Sequence, residues 1–561
     1  MGIKTGLFEN GKMEDLWLHS GSFFLLLGTL PFIIQSMLFM TGIPVSGWLF
    51  PIVFIGLSIY CGWVFIRKNV PVSVVVLWYL LMAGMIITTG LVCIRIYDFS
   101  YDGVWYHQDA VRLMEQGWNP YHHFLSPEET GRSELCVNHY PKAVWTAGAV
   151  VYAFTNKLES AKIINWIFLF ASFCLTIFTL RKVFSTNWFW TVLVGLMISF
   201  NPVVIYQLFS FYIDGVIANL ILCLVLLVLL YKNGTLSGSL FLLLISLTTI
   251  FLINTKFTSL VYVCVLSAVY LVYEVILIKR KAIRSALIAG SILALGVLLF
   301  GYPTYVNNTL TKGHPFYPIM GEGNMGEDIM SVPFPEDFKG KNRFKQFNLA
   351  TFAKPVWSRA PESSKPKALF TIEGITYYDE YRRADPEMGG FGPLFAEVVC
   401  LLLGGILLLL VWNRKIFTVP VIIGLTGLIL SIICIPAFWY ARYAPQIWMF
   451  VCLMILLLLR AKYTAWLGYT LILMQLMNCY MIAQQNWDTQ ATRTRELNAF
   501  FVQLKAKKNI PVVYAGWTGP FKIKLEENKV QYVAVQRTYP EDSIVYFPHS
   551  WMCGAFVVKQ P

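Results

Sequence analysis

The sequence predicts an all-α polytopic membrane protein of about thirteen membrane-spanning helices, followed by a small α/β domain outside the membrane. Three observations lead there. Of the 561 residues, 57% are hydrophobic and only 13% are charged, and the mean hydropathy is +0.60, too apolar for a water-soluble globule of this length. Apolar runs recur at about the 20 residues that a helix needs to cross roughly 30 Å of hydrocarbon. Short basic connections separate many of these runs, so the net charge of +13 reads as retention of Lys and Arg on the cytoplasmic side, not as affinity for nucleic acid.

The first twenty residues carry Glu9, Lys12, Glu14 and Asp15. They lack the apolar core and small-residue cleavage site of a secretory signal, so insertion is expected through the chain's own helices. Spans are expected at 20–41, at 47–66 ending on Arg67-Lys68, and at 71–96 running away from that basic pair. The run 160–180 returns to Arg181-Lys182, 187–206 leads to "NPVVIYQ", and 213–231 returns to Lys232. Next come 237–253 and 257–278, joined by "NTK" and ending at Lys279-Arg280-Lys281, then 285–303. The set closes with 394–412 ending at Arg414-Lys415, 417–438, 444–459 ending at Arg460 and Lys462, and 463–483. Each basic cluster falls on the same side of this alternation. That side is cytoplasmic, which predicts the N-terminus inside, the C-terminus outside, and outer segments at 97–159, 304–393 and 484–561. The inner connections are a few residues long and carry no acidic constellation, so any chemistry is expected outside.

The first outer segment opens with "YDFSYDGVWYHQDAVRLMEQGWNPYHH". Asp98, Asp102, Asp109 and His107 alternate there with Tyr97, Phe99, Tyr101, Trp105 and Tyr106, an aromatic density that suits a sugar-stacking or interfacial surface. The amphipathic run 104–116 is expected to lie flat on the membrane. If the segment is helical throughout, Asp98 and Asp102 share a face, where two carboxylates raise one pKa or hold a divalent cation; otherwise Asp98 is a helix cap or interfacial charge. Cations also stand where the inside-positive preference discourages them: Arg442 in "FWYARYAP" and Lys256 in "NTKFTS". Each meets an anionic ligand or reaches to lipid headgroups. Asp214, in "FSFYIDGVIANL", needs a partner at hydrocarbon depth, either Lys256 in a structural ion pair or a bound sugar. No His-x-x-x-His pair or compact Cys/His motif points to zinc. The only metal the acids suit is Mg²⁺ or Mn²⁺ on Asp98 and Asp102, and no cofactor is required. Nine cysteines fall in apolar spans, whereas Cys136 and Cys553 face outward and are candidates for a disulfide. The loop 304–393 is expected to order over the site as a lid. In the tail, "IPVVYAGW", "VQYVAVQ" and "SIVYFP" read as strands of a small module near the lower size limit for an independent core, so it is expected to dock on the membrane domain.

Four motifs carry a family resemblance. Asp102-x-x-x-Tyr106-His107 directly after a span, "GHPFYP" at 313–318, "GGFGPLF" at 389–395 and "ARY" at 441–443 recur in that order in bacterial GT-C glycosyltransferases, which the chain resembles from about residue 71 to 460. It is more distantly similar to protein O-mannosyltransferases and to the aminoarabinose transferase that modifies lipid A. The resemblance implies a GT-C fold in the bacterial cytoplasmic membrane. It implies an inverting transferase that takes a sugar from a polyprenyl-phosphate or polyprenyl-diphosphate carrier and passes it to a glycan, lipid or protein acceptor outside. Asp102 matches the catalytic aspartate of the family's first outer loop, with Asp98 as its rival. Arg442 and Lys256 are the candidates for the donor phosphate, and Tyr106, His107, Asp214, His314, Tyr317 and Tyr443 for substrate contacts. His314 stands where relatives often carry Asn. Two alternatives remain: a lipid-linked sugar flippase or transporter, which would set its charges midway along spans, and an O-antigen polymerase or ligase-type transferase.

Overall fold

The computed structural model describes residues 10–130, 133–278, 282–323, 325, 334–354, 365–372, 382–514, 519–535, 540, 543–549 and 555–558. Helices occupy all thirteen apolar windows. In chain order the principal elements begin with α1 (Asn10–Met40), α2 (Leu49–Arg67) and α3 (Val72–Arg95), followed by α4 (Gln108–Glu115) and α5 (Ala143–Thr155). Next are α6 (Ile163–Phe184), α7 (Trp188–Ser199), α8 (Asp214–Lys232), α9 (Gly238–Ile253), α10 (Phe257–Ile278) and α11 (Ala282–Ala294). The series ends with α12 (Phe395–Trp412), α13 (Val419–Ile433), α14 (Gln446–Leu459), α15 (Ala465–Lys505) and α16 (Gly519–Glu527).

Among the described residues, nine helices are long and apolar enough to cross a membrane. The other four windows hold shorter helices than expected: α7 has 12 residues, α9 has 16, α13 has 15 and α14 has 14. Local chemistry explains two of these. After α7, Pro202 removes a donor and starts a new short helix, Pro202–Gln207, which Asn201 caps by accepting from the Val203 N–H. α13 stops just short of Ile435-Pro436, where the ring restricts the preceding residue. In the window 285–303, α11 passes into wide turns at Leu295–Leu299 and Tyr302–Val306. The last window extends instead, because α15 runs on for 41 residues through position 484. At about 1.5 Å per residue it is roughly 60 Å long, twice the hydrocarbon thickness.

At one pole, ion pairs gather the basic ends of α2 and α6 around the start of α1. Glu14 on α1 meets Arg181 at 3.0 Å and Lys182 at 2.7 Å, Asp15 meets Lys68 at 2.8 Å, and Lys232 pairs with Glu274. The helix core lies around α1, α6, α8 and α9, with Phe24, Leu27, Phe168, Leu175 and Phe251 all at 0% exposure. α1 approaches α6 closely at Gly28, where a Cβ would stand 2.6 Å from the Phe168 ring; small residues serve this purpose between membrane helices.

The opposite pole carries the segment after α3 and the C-terminal module. Its sheet consists of β1 (Ile510–Tyr514), β2 (Tyr532–Val535), β3 (Ile544–Tyr546) and β4 (Ala555–Val558), in the order β2-β1-β4-β3. β1 and β2 are parallel, and the other two pairings are antiparallel. Leu497, Phe501 and Leu504 of α15 and Phe521 and Leu525 of α16 pack beside Ile510, Val512 and Phe547. Tyr97, Phe99 and Val104 belong to the same cluster. A module too small to bury a generous core thus completes it with the chain that leads to Asp102.

Two expectations for the first segment change. The amphipathic run 104–116 does not lie with its apolar face open: Ala110, Val111 and Met114 are at most 1% exposed and pack on Trp145 and Ala149 of α5. α5 itself is an apolar helix of 13 residues, too short to register as a span and not among the expected ones.

Candidate active site

The chain leaves α3 at Arg95, runs extended through 97–100, and becomes helical again at Tyr101, passing through a wide turn at Gly103–His107 into α4. The helix that would have placed Asp98 and Asp102 on one face therefore begins three residues after Asp98. Asp98 folds back as a local cap instead. Its Oδ1 accepts from the Ser100 N–H (2.8 Å), and its Oδ2 accepts from the Ser100 hydroxyl (2.9 Å) and the Phe211 N–H (2.8 Å). Its carboxylate and that of Asp102 have separate partners, so of the two readings of Asp98 the local geometry favours the cap over the shared face. Among the described residues, no group of three or more His, Cys, Asp or Glu side chains could hold a metal ion.

The backbone beside Asp98 is held by buried charge. Its N–H donates to Glu159 (3.2 Å), whose carboxylate pairs with Lys162 at 2.6 Å and with Lys524 of α16 at 3.3 Å. Lys162 donates to the Ile96 carbonyl, and Lys524 donates to that of Asp98 at 3.3 Å. Asp98, Glu159, Lys162 and Lys524 are two acids and two bases, none more than 4% exposed. Such burial is tolerable only with each charge paired.

Asp102 itself meets Arg442. Arg442 Nη1 lies 2.9 Å from Asp102 Oδ2, the two side chains being 12% and 17% exposed. The guanidinium carbon sits 4.9–5.0 Å from the ring centres of Tyr212, Tyr440 and Tyr443, and Nη2 donates to the Tyr443 hydroxyl at 3.2 Å. Arg442 Nε is buried without a hydrogen-bond partner among the described residues. A second carboxylate, Asp385, supports this cage: it accepts from the hydroxyls of Tyr212 (3.0 Å) and Tyr440 (3.4 Å), and the Asp102 N–H reaches the Tyr212 oxygen at 3.4 Å. Burial pushes the Asp102 carboxyl above the usual carboxylate range; Arg442 pulls it back and Asp385 adds to the rise.

Lys256 and Asp214 form the ion pair that was one of their two expected roles, at 2.5 Å, with Asp214 only 2% exposed. Gln207 donates to the same carboxylate at 3.4 Å and also reaches the Ala384 carbonyl at 3.3 Å, beside Asp385. Lys256 Nζ lies 4.6 Å from the Tyr443 ring centre, so this pair adjoins the Arg442 cage. His107 lies within 6.2 Å of the Tyr212 ring. Burial first, then Lys256 and Arg442, holds its pKa well below normal. The ring is neutral, and because Nδ1 accepts from Trp145 Nε1 at 2.6 Å, its proton is on Nε2. Tyr106 is buried and stacks edge-on against Tyr140 and Trp145, with burial and Asp102 raising its hydroxyl's pKa well above normal.

His314 and Tyr317 occupy a neighbouring cluster instead. Tyr317 packs edge-on against His139 (4.8 Å), which bonds Asn308 at 2.7 Å, and His314 Nδ1 accepts from the Phe316 N–H. Among the described residues neither bonds to Asp102 or Arg442, so their expected role at the substrate draws no support from the local geometry. Cys136 is buried with a free thiol, and Cys553 lies outside the described residues. Parts of the expected lid, 324, 326–333, 355–364 and 373–381, also lie outside them, while Lys367 is pinned to Glu397 at 2.7 Å.

Two of the motifs are explained by packing. A Cβ on Gly390 would stand 2.8 Å from that of Ala441, so "GGFGPLF" lies directly against "ARY" and supports Arg442. Gly392 has φ +105° and approaches Asn478, which accepts from the Leu394 N–H and donates to the Phe391 carbonyl. Sequence reading missed Tyr212, Asp385 and Tyr440. Tyr440 had a usable signal, an aromatic two residues before a boundary arginine. Asp385 had none, being one acid in a ninety-residue loop. Comparison with known protein families, with curated proteins and with solved structures finds no match to this chain.

Proposed function

We propose that the chain is a GT-C-type inverting glycosyltransferase. It moves a sugar from a polyprenyl-phosphate-linked donor to an acceptor hydroxyl on the extracytoplasmic face of a bacterial cytoplasmic membrane, in cell-envelope glycan or glycolipid modification. The observation that carries this reading is the Asp102–Arg442 pair, partly open to solvent and caged by three tyrosines, at the pole away from the basic clusters. In this reading the four shorter helices also cross, making thirteen spans, and the basic pole is cytoplasmic.

The proposed step uses each part of the cage. Asp102 takes the proton of the acceptor hydroxyl as its oxygen bonds to the anomeric carbon from the face opposite the phosphate. The bond from that carbon to the phosphate oxygen breaks, and the lipid phosphate leaves with the electron pair. Arg442, with Nε free to donate, neutralises the departing anion, and Lys256 adds a second positive charge. The experiment is incubation of the purified protein in lipid with a polyprenyl-phosphate sugar and a mixed envelope-glycan acceptor. Release of polyprenyl phosphate with sugar on the acceptor supports the reading; sugar carried across the membrane with no transfer overturns it.

A base held above the usual carboxylate range sets the pH dependence. Asp102 acts when deprotonated, so transfer is expected to rise with pH through its raised pKa and be lost below it. Asp385→Asn removes a charge that raises this pKa and is expected to move the acid limb of the pH–rate profile down. Arg442→Gln is expected to move the limb up in whatever activity remains. A limb unmoved by Asp385→Asn would assign the titration to another group.

A further inference from the structure

Beyond its apolar run, α15 divides into two faces. Ile482, Asn486, Gln490 and Thr494 are buried, with Thr494 Oγ1 accepting from the Tyr97 N–H at 3.1 Å. The adjacent stripe of Met481, Gln485, Thr489 and Arg493, spaced every four residues, is only half-buried. It floors a cavity of about 690 Å³ whose wall includes Arg382 and His549.

This volume falls in the range of about 300–1,000 Å³ usual for small-molecule sites, but those are mostly apolar. Here, among the described residues of the lining, Met481 is the one apolar side chain, and the rest are amides, hydroxyls and charges. The charges are of both signs: Arg382 and Arg493 are accompanied by Asp488 and Glu496, and Glu496 is bonded to His549 at 2.5 Å. An acyl chain would find no apolar wall among these described residues beyond Met481. A phosphate would meet two carboxylates. A polyhydroxylated ligand without a large net charge fits both, since each hydroxyl donates to a carboxylate or amide oxygen and accepts from a guanidinium or amide N–H. The wall is also linked along the chain to the Asp102 cage. The residue after Arg382 is Arg383, which pairs at 3.4 Å with Asp385, the acceptor of the Tyr212 hydroxyl beside Arg442.

We propose that this cavity is a saccharide-binding site that holds the glycan part of the acceptor while its hydroxyl reaches Asp102. The acceptor role rests on the transferase reading above; the saccharide chemistry does not. The test uses the full chain carrying Asp102→Asn in lipid nanodiscs, so that binding is read without turnover, on a panel of immobilised neutral, amino-sugar and uronic-acid oligosaccharides. Retention of at least one oligosaccharide is expected, weakened at least tenfold by Thr489→Trp, which fills the floor. Thr492→Trp, on the open side, is the second variant should the first fail to insert. The proposal is overturned if no oligosaccharide is retained, or if retention is equal with the cavity filled. Retention without any transfer by the unaltered protein would uphold the saccharide site and overturn only the transferase reading.

Discussion

Asp102→Asn is expected to lower sugar transfer by about 10²–10⁴-fold, the usual contribution of a positioned general base, while leaving the fold intact. Asparagine keeps the shape of the side chain and can still accept from Arg442 Nη1, and the three tyrosine faces around the guanidinium remain. The loss is therefore chemical. Initial rates at saturating donor measure it, with the apparent melting temperature as the control. A rate within a few-fold of the unaltered protein, at unchanged melting temperature, would remove Asp102 from the reaction. Asp98→Asn offers the contrast. Its carboxylate accepts from three internal donors, so its replacement should act on stability.

The largest stability effect is expected from Glu159→Ala. Lys162 and Lys524, at 0% and 4% exposure, would lose the carboxylate they share. Breaking a buried pair in this way costs about 3–5 kcal/mol, because the remaining charge is left in a medium that cannot solvate it. The Asp98 N–H loses its acceptor as well, loosening the chain four residues before Asp102. The apparent melting temperature in a fixed detergent reads the loss. The double variant Glu159→Gln/Lys524→Met removes one charge of each sign and leaves Asp98 with Lys162. It is expected to recover more than half of the single variant's deficit. Strictly additive losses would mean that the four charges do not act as a network.

The membrane helices were legible because burial in hydrocarbon imposes a composition on every residue of a span. Apolar runs alone placed them, and errors occurred where local rules intervened, at Asn201-Pro202 and before Ile435-Pro436. The expected boundary at 484 fell inside α15 because composition changes there while helix propensity does not: "MIAQQNWDTQATRTREL" has no Gly or Pro to break it. Asp102 and Arg442 could each be singled out as charges at span ends. Their contact could not, since 340 residues separate them. The two readings of Asp98 separate for a definable reason: a shared face with Asp102 needs helix from 97 onward, whereas the hydroxyl of Ser100 and its N–H offer Asp98 a capping turn. Glu159 and Lys162, in "NKLESAK", carry no local signal of burial, and only Lys524 on α16, more than 300 residues later, completes the set of charges around Glu159.

The unbroken course of α15 fixes rotational phase between the bilayer-facing half of the molecule and its terminal sheet. Adding one residue near 484 would turn everything downstream by about 100° and advance it about 1.5 Å, carrying Thr494 away from the Tyr97 amide and swinging the Gln485 stripe off its wall. A whole extra turn would nearly preserve the angle yet lift the sheet clear of Phe99. The length of this single rod, and not any flexible tether, therefore sets where the terminal module can stand, and drift in that length during evolution would have to be matched in the segment it grips.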